Sequence, residues 1–113
     1  MGDSTIATVG DETSFDTKVL KATKPVLVMF TAGWNGPAKP LEPIVQELAL
    51  VFESQLLTYK CDTDESPLTA EKSGVRSVPT LHIYKNGKRH AEHVGLLTKA
   101  QLVQLIESSL RTL

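Results

Sequence analysis

One thiol, three imidazoles and a short glycine–proline run are what this sequence offers to chemistry. The thiol is Cys61, the single cysteine among 113 residues. Alone, it can form no internal disulfide. Lys60 precedes it, and a neighbouring ammonium can lower a thiol's pKa. Side chains alternate along a strand, however, so Lys60 and Cys61 face opposite ways, and Cys61 reads as an interior cysteine. The imidazoles are His82, His90 and His93. If Asn86-Gly87 is a two-residue turn, Ile83 pairs with His90 and His82 with Ala91, so His82 and His93 share a face diagonally. Two histidines without a third ligand make no zinc site, so neither a metal nor a cofactor is expected. No Ser–His–Asp set, paired carboxylates or phosphate-cradling glycine loop is visible, which makes an enzyme of an unrelated type the weakest reading.

The glycine–proline run is Trp34-Asn35-Gly36-Pro37-Ala38-Lys39, and it follows the apolar stretch Val26 to Phe30. An unbroken apolar run of that length suits a strand buried on both faces. Before it, Thr5 to Val9 can form a short first strand. Asp11 or Thr13 can cap a helix bearing Phe15, Val19 and Leu20, which Lys24-Pro25 ends. After it, a helix is expected from Pro37 to about Glu53, with Leu41, Ile44, Val45, Leu48 and Phe52 on one face and a kink at Pro43. Leu56 to Cys61 is the next strand. Ser66-Pro67 opens a short helix that Gly74 stops. Thr80 to Lys85, Asn86-Gly87 and Lys88 to Val94 form a hairpin. Thr98-Lys-Ala-Gln101 is a capping box for a last helix with Leu102, Leu105, Ile106 and Leu110 on its apolar face.

A strand joined through a crossover helix to another strand implies a parallel core, and the hairpin adds an antiparallel edge. The expected fold class is therefore α/β, a mixed sheet of about five strands flanked by four helices, in a single domain over residues 1–113. This element order, with four local motifs, resembles the thioredoxin family over roughly residues 5–112. Trp34-x-Gly36-Pro37-x-Lys39 is similar to the family's active-site frame, with Pro43 at the position of its helix-kinking proline. Lys60-Cys-Asp-Thr-Asp64 resembles the third strand of the family. Val75-Arg-Ser-Val78-Pro79-Thr80 resembles the segment carrying a cis-proline. Lys85-Asn-Gly-Lys88 with Val94-Gly95-Leu96-Leu97 matches the hairpin and the loop beyond it.

The departures from that pattern bear on function. The family's two active-site cysteines fall at Asn35 and Ala38, and its buried acid, which moves protons to and from the second cysteine, falls at Met29. An amide and a methyl group form no mixed disulfide, so dithiol exchange by the family mechanism is excluded at this site. Asn35 instead suits a helix N-cap accepting from the Ala38 N–H, worth about 1 kcal/mol. Ala38 is a good helix former, and Met29 fills buried space without a desolvation penalty. Lys60 is left without the family's acid.

The resemblance implies a groove of Trp34, Gly36, Pro37, Ser77, Val78, Pro79, Gly95 and Leu96 around the former active site, which docks an extended polypeptide. Two readings follow. One is a redox-inactive binding module that holds a protein partner there. The other is a protein-disulfide reductase of cell redox homeostasis whose catalytic cysteines were replaced by mutation. Net charge −1 and a pI near 6.3 give no reason to expect a nucleic-acid or anionic-membrane surface. No apolar run approaches the roughly 20 residues of a membrane span. Met-Gly-Asp-Ser-Thr at the start lacks signal-peptide character, so a cytoplasmic location is expected, with an organelle after transit-peptide removal left open.

Overall fold

The computed structural model describes residues 6–32, 36 and 38–111. Strand β1 (Ala7–Thr8) leads to α1 (Glu12–Phe15), which runs directly into a π-helical segment, Asp16–Leu20. Then come β2 (Val26–Thr31), α2 (Glu42–Val51), β3 (Leu57–Asp62), α3 (Pro67–Lys72), β4 (Thr80–Lys85), β5 (Lys88–Val94) and α4 (Lys99–Arg111). The sheet order is β1-β3-β2-β4-β5, with β3 parallel to both β1 and β2, and β4 antiparallel to β2 and β5.

The apolar run of β2 explains the layering. All six of its residues are buried, and their alternation serves two cores. Leu27 and Met29 pack with Leu41, Val45 and Leu48 near and on α2 and with Leu102 and Ile106 of α4. Val26, Val28 and Phe30 pack with Phe15, Val19, Cys61 and Tyr84 on the opposite face. Each such large side chain, fully buried, contributes about 1.5–3 kcal/mol, so the central strand anchors both layers.

Local signals set the element ends. The Ser14 N–H donates to Asp11 Oδ1 at 2.8 Å, so Asp11, not Thr13, caps α1. At α4 the Gln101 N–H donates to Thr98 Oγ1 at 3.1 Å and the Thr98 N–H to Gln101 Oε1 at 2.8 Å, the reciprocal pair of a capping box. Pro67 opens α3, and Gly74 closes it with φ 77°. The β4–β5 turn has φ 55° at Asn86 and 80° at Gly87, as a two-residue hairpin of this twist requires. That turn also abuts the first helical layer, since a Cβ on Gly87 would lie 2.7 Å from the Leu20 carbonyl oxygen.

Three expectations need correction. The helix expected from Pro37 is regular only over Glu42–Val51, and Ala38 to Leu41 form turns before it. Pro43 accordingly stands in the first turn, where its missing N–H is an orphan position, and does not kink a helix interior. The Lys39 carbonyl, which Pro43 cannot serve, accepts from the Glu42 N–H at 3.3 Å instead. The hairpin register also differs. Tyr84 pairs with Arg89 as the turn dictates, but a bulge shifts the ladder so that Ile83 pairs with Ala91 and His82 with Glu92. His93 therefore lies opposite Leu81, not on the face of His82. Finally, β1 is described only at Ala7–Thr8, and Thr5 lies outside the described residues.

Candidate functional site

Sheet register gathers the candidate groove. Phe30 of β2 pairs with Thr80 of β4, and Thr80 pairs with Val94 of β5. The chain beyond Phe30 therefore lies beside Pro79, and Pro79 beside Gly95. The Val78–Pro79 peptide bond is cis. Two hydrogen bonds fix the loop: Thr80 Oγ1–H donates to the Ser77 carbonyl at 2.7 Å, and the Gly95 N–H to the Pro79 carbonyl at 2.8 Å. Gly95 has φ 95°, a conformation in which a side chain would be strained.

Around this junction Pro79 is buried, Val78 and Gly95 are half-buried, and Ser77 is exposed. Val94 and Leu96 leave 57% and 53% of their surfaces open, an apolar rim beside the loop. Ala38 is buried, whereas Gly36 is exposed and accepts from the Lys39 N–H at 3.0 Å. Trp34, Asn35 and Pro37 lie outside the described residues, as does the proposed Asn35 cap.

Two residues weighed for redox chemistry, Met29 and Cys61, are buried packing groups. Met29 is fully buried among Leu27, Leu81 and Ile83, with Lys60 beside it in the parallel ladder. Cys61 is fully buried on the other face, against Val28 and Phe30. Burial, with a smaller push from Asp62, raises its thiol from 9.0 to about 11. A thiol so placed is neither accessible nor ionised, so Lys60 does not activate it.

A second set of polar residues escaped the sequence reading. His82 has no exposed surface, yet both its nitrogens are bonded: Nδ1 to Tyr84 Oη at 3.0 Å and Nε2 to Glu92 Oε2 at 3.0 Å. The His82 and Phe30 rings meet edge to face with centroids 5.0 Å apart. Arg89 Nη1 stands 3.6 Å from the same Glu92 oxygen. A neutral imidazole satisfies this set if Nε2–H donates to the carboxylate and Nδ1 accepts from the phenol. Burial holds the His82 pKa below its ordinary value, against the smaller opposing pull of Glu92. The hydrogen bond from His82 lowers that of Glu92. The available sequence signal was the run Leu81-His82-Ile83-Tyr84, since a histidine inside a doubly buried strand must find partners.

A five-stranded mixed sheet in this order, helices on both faces and a cis-proline loop tied to the glycine beyond the hairpin define a thioredoxin-fold protein. The chain belongs to the thioredoxin family, whose family model, described as Thioredoxin, matches residues 6–108. It is 45% identical to thioredoxin of Acidithiobacillus ferridurans, a match covering 86% of this chain and 90% of that protein. It is 39% identical to thioredoxin of Pseudomonas aeruginosa, over 88% of this chain and 92% of the other. The chloroplastic M-type thioredoxin of Pisum sativum is 42% identical over 88% of this chain, which spans only 58% of the length of that relative. Among the described residues no helix is long and apolar enough to cross a membrane.

Proposed function

We propose that this chain is a redox-inactive member of the thioredoxin family, which uses the former active-site groove to hold a protein partner or an extended polypeptide. The carrying observation is that the single thiol of the sequence is buried and held near pKa 11, while Asn35 and Ala38 occupy the exchange positions. No group at the groove can therefore form a mixed disulfide.

Docking needs no sulfur. Among the described residues no hydrogen bond engages the backbone N–H or carbonyl of Val78, and an extended chain laid beside it can use both. Val94 and Leu96 offer apolar area next to that edge. Trp34, Gly36 and Pro37 belong to the groove by the family resemblance, and Ser77, Pro79 and Gly95 complete it in this reading. An aromatic anchor of this kind often carries about 2 kcal/mol or more of binding on truncation. Replacement of cysteines in an otherwise complete reductase is not favoured, because Met29 also lacks the proton acceptor that such an enzyme uses. The compartment proposed is the cytoplasm, with an organelle as the alternative that the chloroplastic relatives raise.

The test is capture of partners from the native source by the full chain and by Trp34→Ala and Val78→Asp variants, each with and without reductant. A specific partner lost in both variants and indifferent to reductant supports the groove. A partner retained by both places binding elsewhere, and reductant-dependent capture contradicts the redox-inactive reading.

A further inference from the structure

A cleft of about 320 Å³ opens between α3 and the π-helical turn that follows α1. It lies at the Tyr84 end of β4, whereas the groove loop joins that strand at Thr80. Small-molecule pockets begin at about this size, roughly 300 Å³.

The backbone contributes to the opening. The Lys21 N–H donates to the Asp16 carbonyl at 2.9 Å, the i→i+5 bond of a π turn, which is wider than an α-helical one. Single π turns set into α-helices occur frequently at functional sites. Asp16 and Leu20, the two ends of this turn, both line the cleft.

The cleft has an apolar floor and a charged mouth. Phe15 and Tyr84 are buried, and their rings meet at 83° with centroids 5.6 Å apart, forming a right-angled corner. Half-buried Leu20 extends the apolar wall. Polar groups of the walls are engaged with the protein itself. Tyr84 Oη pairs with His82 Nδ1 at 3.0 Å, and Thr69 Oγ1–H donates to the Gly10 carbonyl at 2.8 Å. The interior therefore suits an aromatic ring, which can meet the corner edge to face. At the mouth Lys72 of α3 is ion-paired with Glu12 of α1, and both are exposed. Asp16 pairs with Lys21 at 3.2 Å.

We propose that this cleft is a second site, independent of the groove, that takes a zwitterionic aromatic amino acid. The ring enters the Phe15–Tyr84 corner, the ligand carboxylate meets Lys72, and the ligand ammonium meets the carboxylates of Glu12 and Asp16.

Charge matching selects this class. Exposed ion pairs contribute little, so a ligand can part Lys72 from Glu12. A zwitterion inserted between them gives each ion a new partner of opposite sign. An ammonium alone leaves Lys72 without its partner, and a carboxylate alone leaves Glu12 without its own. An uncharged ring gains nothing from either ion.

The test is an NMR titration of the isotope-labelled full chain at pH 7.0 with L-phenylalanine as the probe. Amides of Leu20, Ser73 and Tyr84 report on the cleft, and those of Val78 and Gly95 on the groove. Phenethylamine, 3-phenylpropanoate and glycine are titrated in parallel. The cleft amides should shift together and saturate with phenylalanine, while the groove amides stay unmoved. Either singly charged analogue should bind about two- to fivefold more weakly, the range set by one exposed ion pair. Glycine, which has the charges without the ring, should not saturate the cleft. Lys72→Gln should remove the preference for phenylalanine over phenethylamine, and Leu20→Ala should weaken all three aromatic ligands alike. Both substitutions are at exposed or half-buried positions, and the unchanged amide spectrum elsewhere checks the fold. Absence of saturable shifts at the cleft up to the solubility limit of phenylalanine overturns the proposal. So does equal binding of the singly charged analogues, or a preference for phenylalanine that survives Lys72→Gln.

Discussion

Restoring an acid at the family's buried position, Met29→Asp, should produce a stability defect that grows with pH. Met29 is fully buried among Leu27, Leu81 and Ile83. Truncating such a side chain removes about 2–5 kcal/mol of packing at any pH. The new carboxyl adds a pH-dependent part, because burial disfavours its ionised form and lifts its folded pKa to roughly 7, against about 3.9 in the unfolded chain. Between those two values the folded state holds a proton that the unfolded state has lost, so stability falls as pH rises and levels off above the folded pKa. The total fall is about 4 kcal/mol, since each pH unit between the two pKa values costs about 1.4 kcal/mol. Urea denaturation at pH 4.5, 6.0 and 7.5, with the unaltered chain subtracted at each pH, measures it. A gap between variant and parent that stays constant across this range refutes the reasoning. It would mean that the site is wet, or that Lys60, beside Met29 in the β2–β3 ladder, neutralises the carboxylate.

Gly87→Ala should destabilise the fold by about 1–3 kcal/mol, because it combines φ 80° with a Cβ placed 2.7 Å from the Leu20 carbonyl oxygen; thermal or urea unfolding reads this directly, and a change under about 0.5 kcal/mol refutes it. Cys61 should resist alkylation in the native protein at pH 7.5 and react fully in denaturant. Its thiol near 11 carries about a hundredfold less thiolate than one at 9.0, and burial blocks access as well. Rapid native labelling would contradict both points.

The features that were legible in the sequence are those written in adjacent residues. The capping box at Thr98 and Gln101, the Asp11 cap and the Asn86-Gly87 turn depend on side chains reaching backbone groups a few residues away. The doubly buried β2 announced itself through composition alone. What the sequence hid depends on distant partners. The bulge between Ile83 and Tyr84 displaced the register by one residue, and with it the face assigned to His93. The start of α2 was misplaced because Pro37, Pro40 and Pro43 all permit a helix N-terminus nearby, and the periodicity of Leu41 to Phe52 does not choose among them. At the candidate site the Gly95 N–H meets the Pro79 carbonyl, whereas the Tyr84–His82–Glu92 chain could not be seen without the register.

Insulin reduction is the most direct test of the central claim, that the family frame is kept while its chemistry is gone. The parent chain, Cys61→Ser and Asn35→Cys/Ala38→Cys are compared at equal concentration with dithiothreitol and against a no-protein control. The parent and Cys61→Ser should show no catalysis above that control. The double variant should form the 35–38 disulfide and reduce insulin slowly, and Met29→Asp added to it should raise the rate by supplying a proton acceptor. Turnover by the parent chain would contradict the claim that the chemistry is lost, and a double variant that forms no disulfide under oxidising conditions would contradict the claim that the frame is kept.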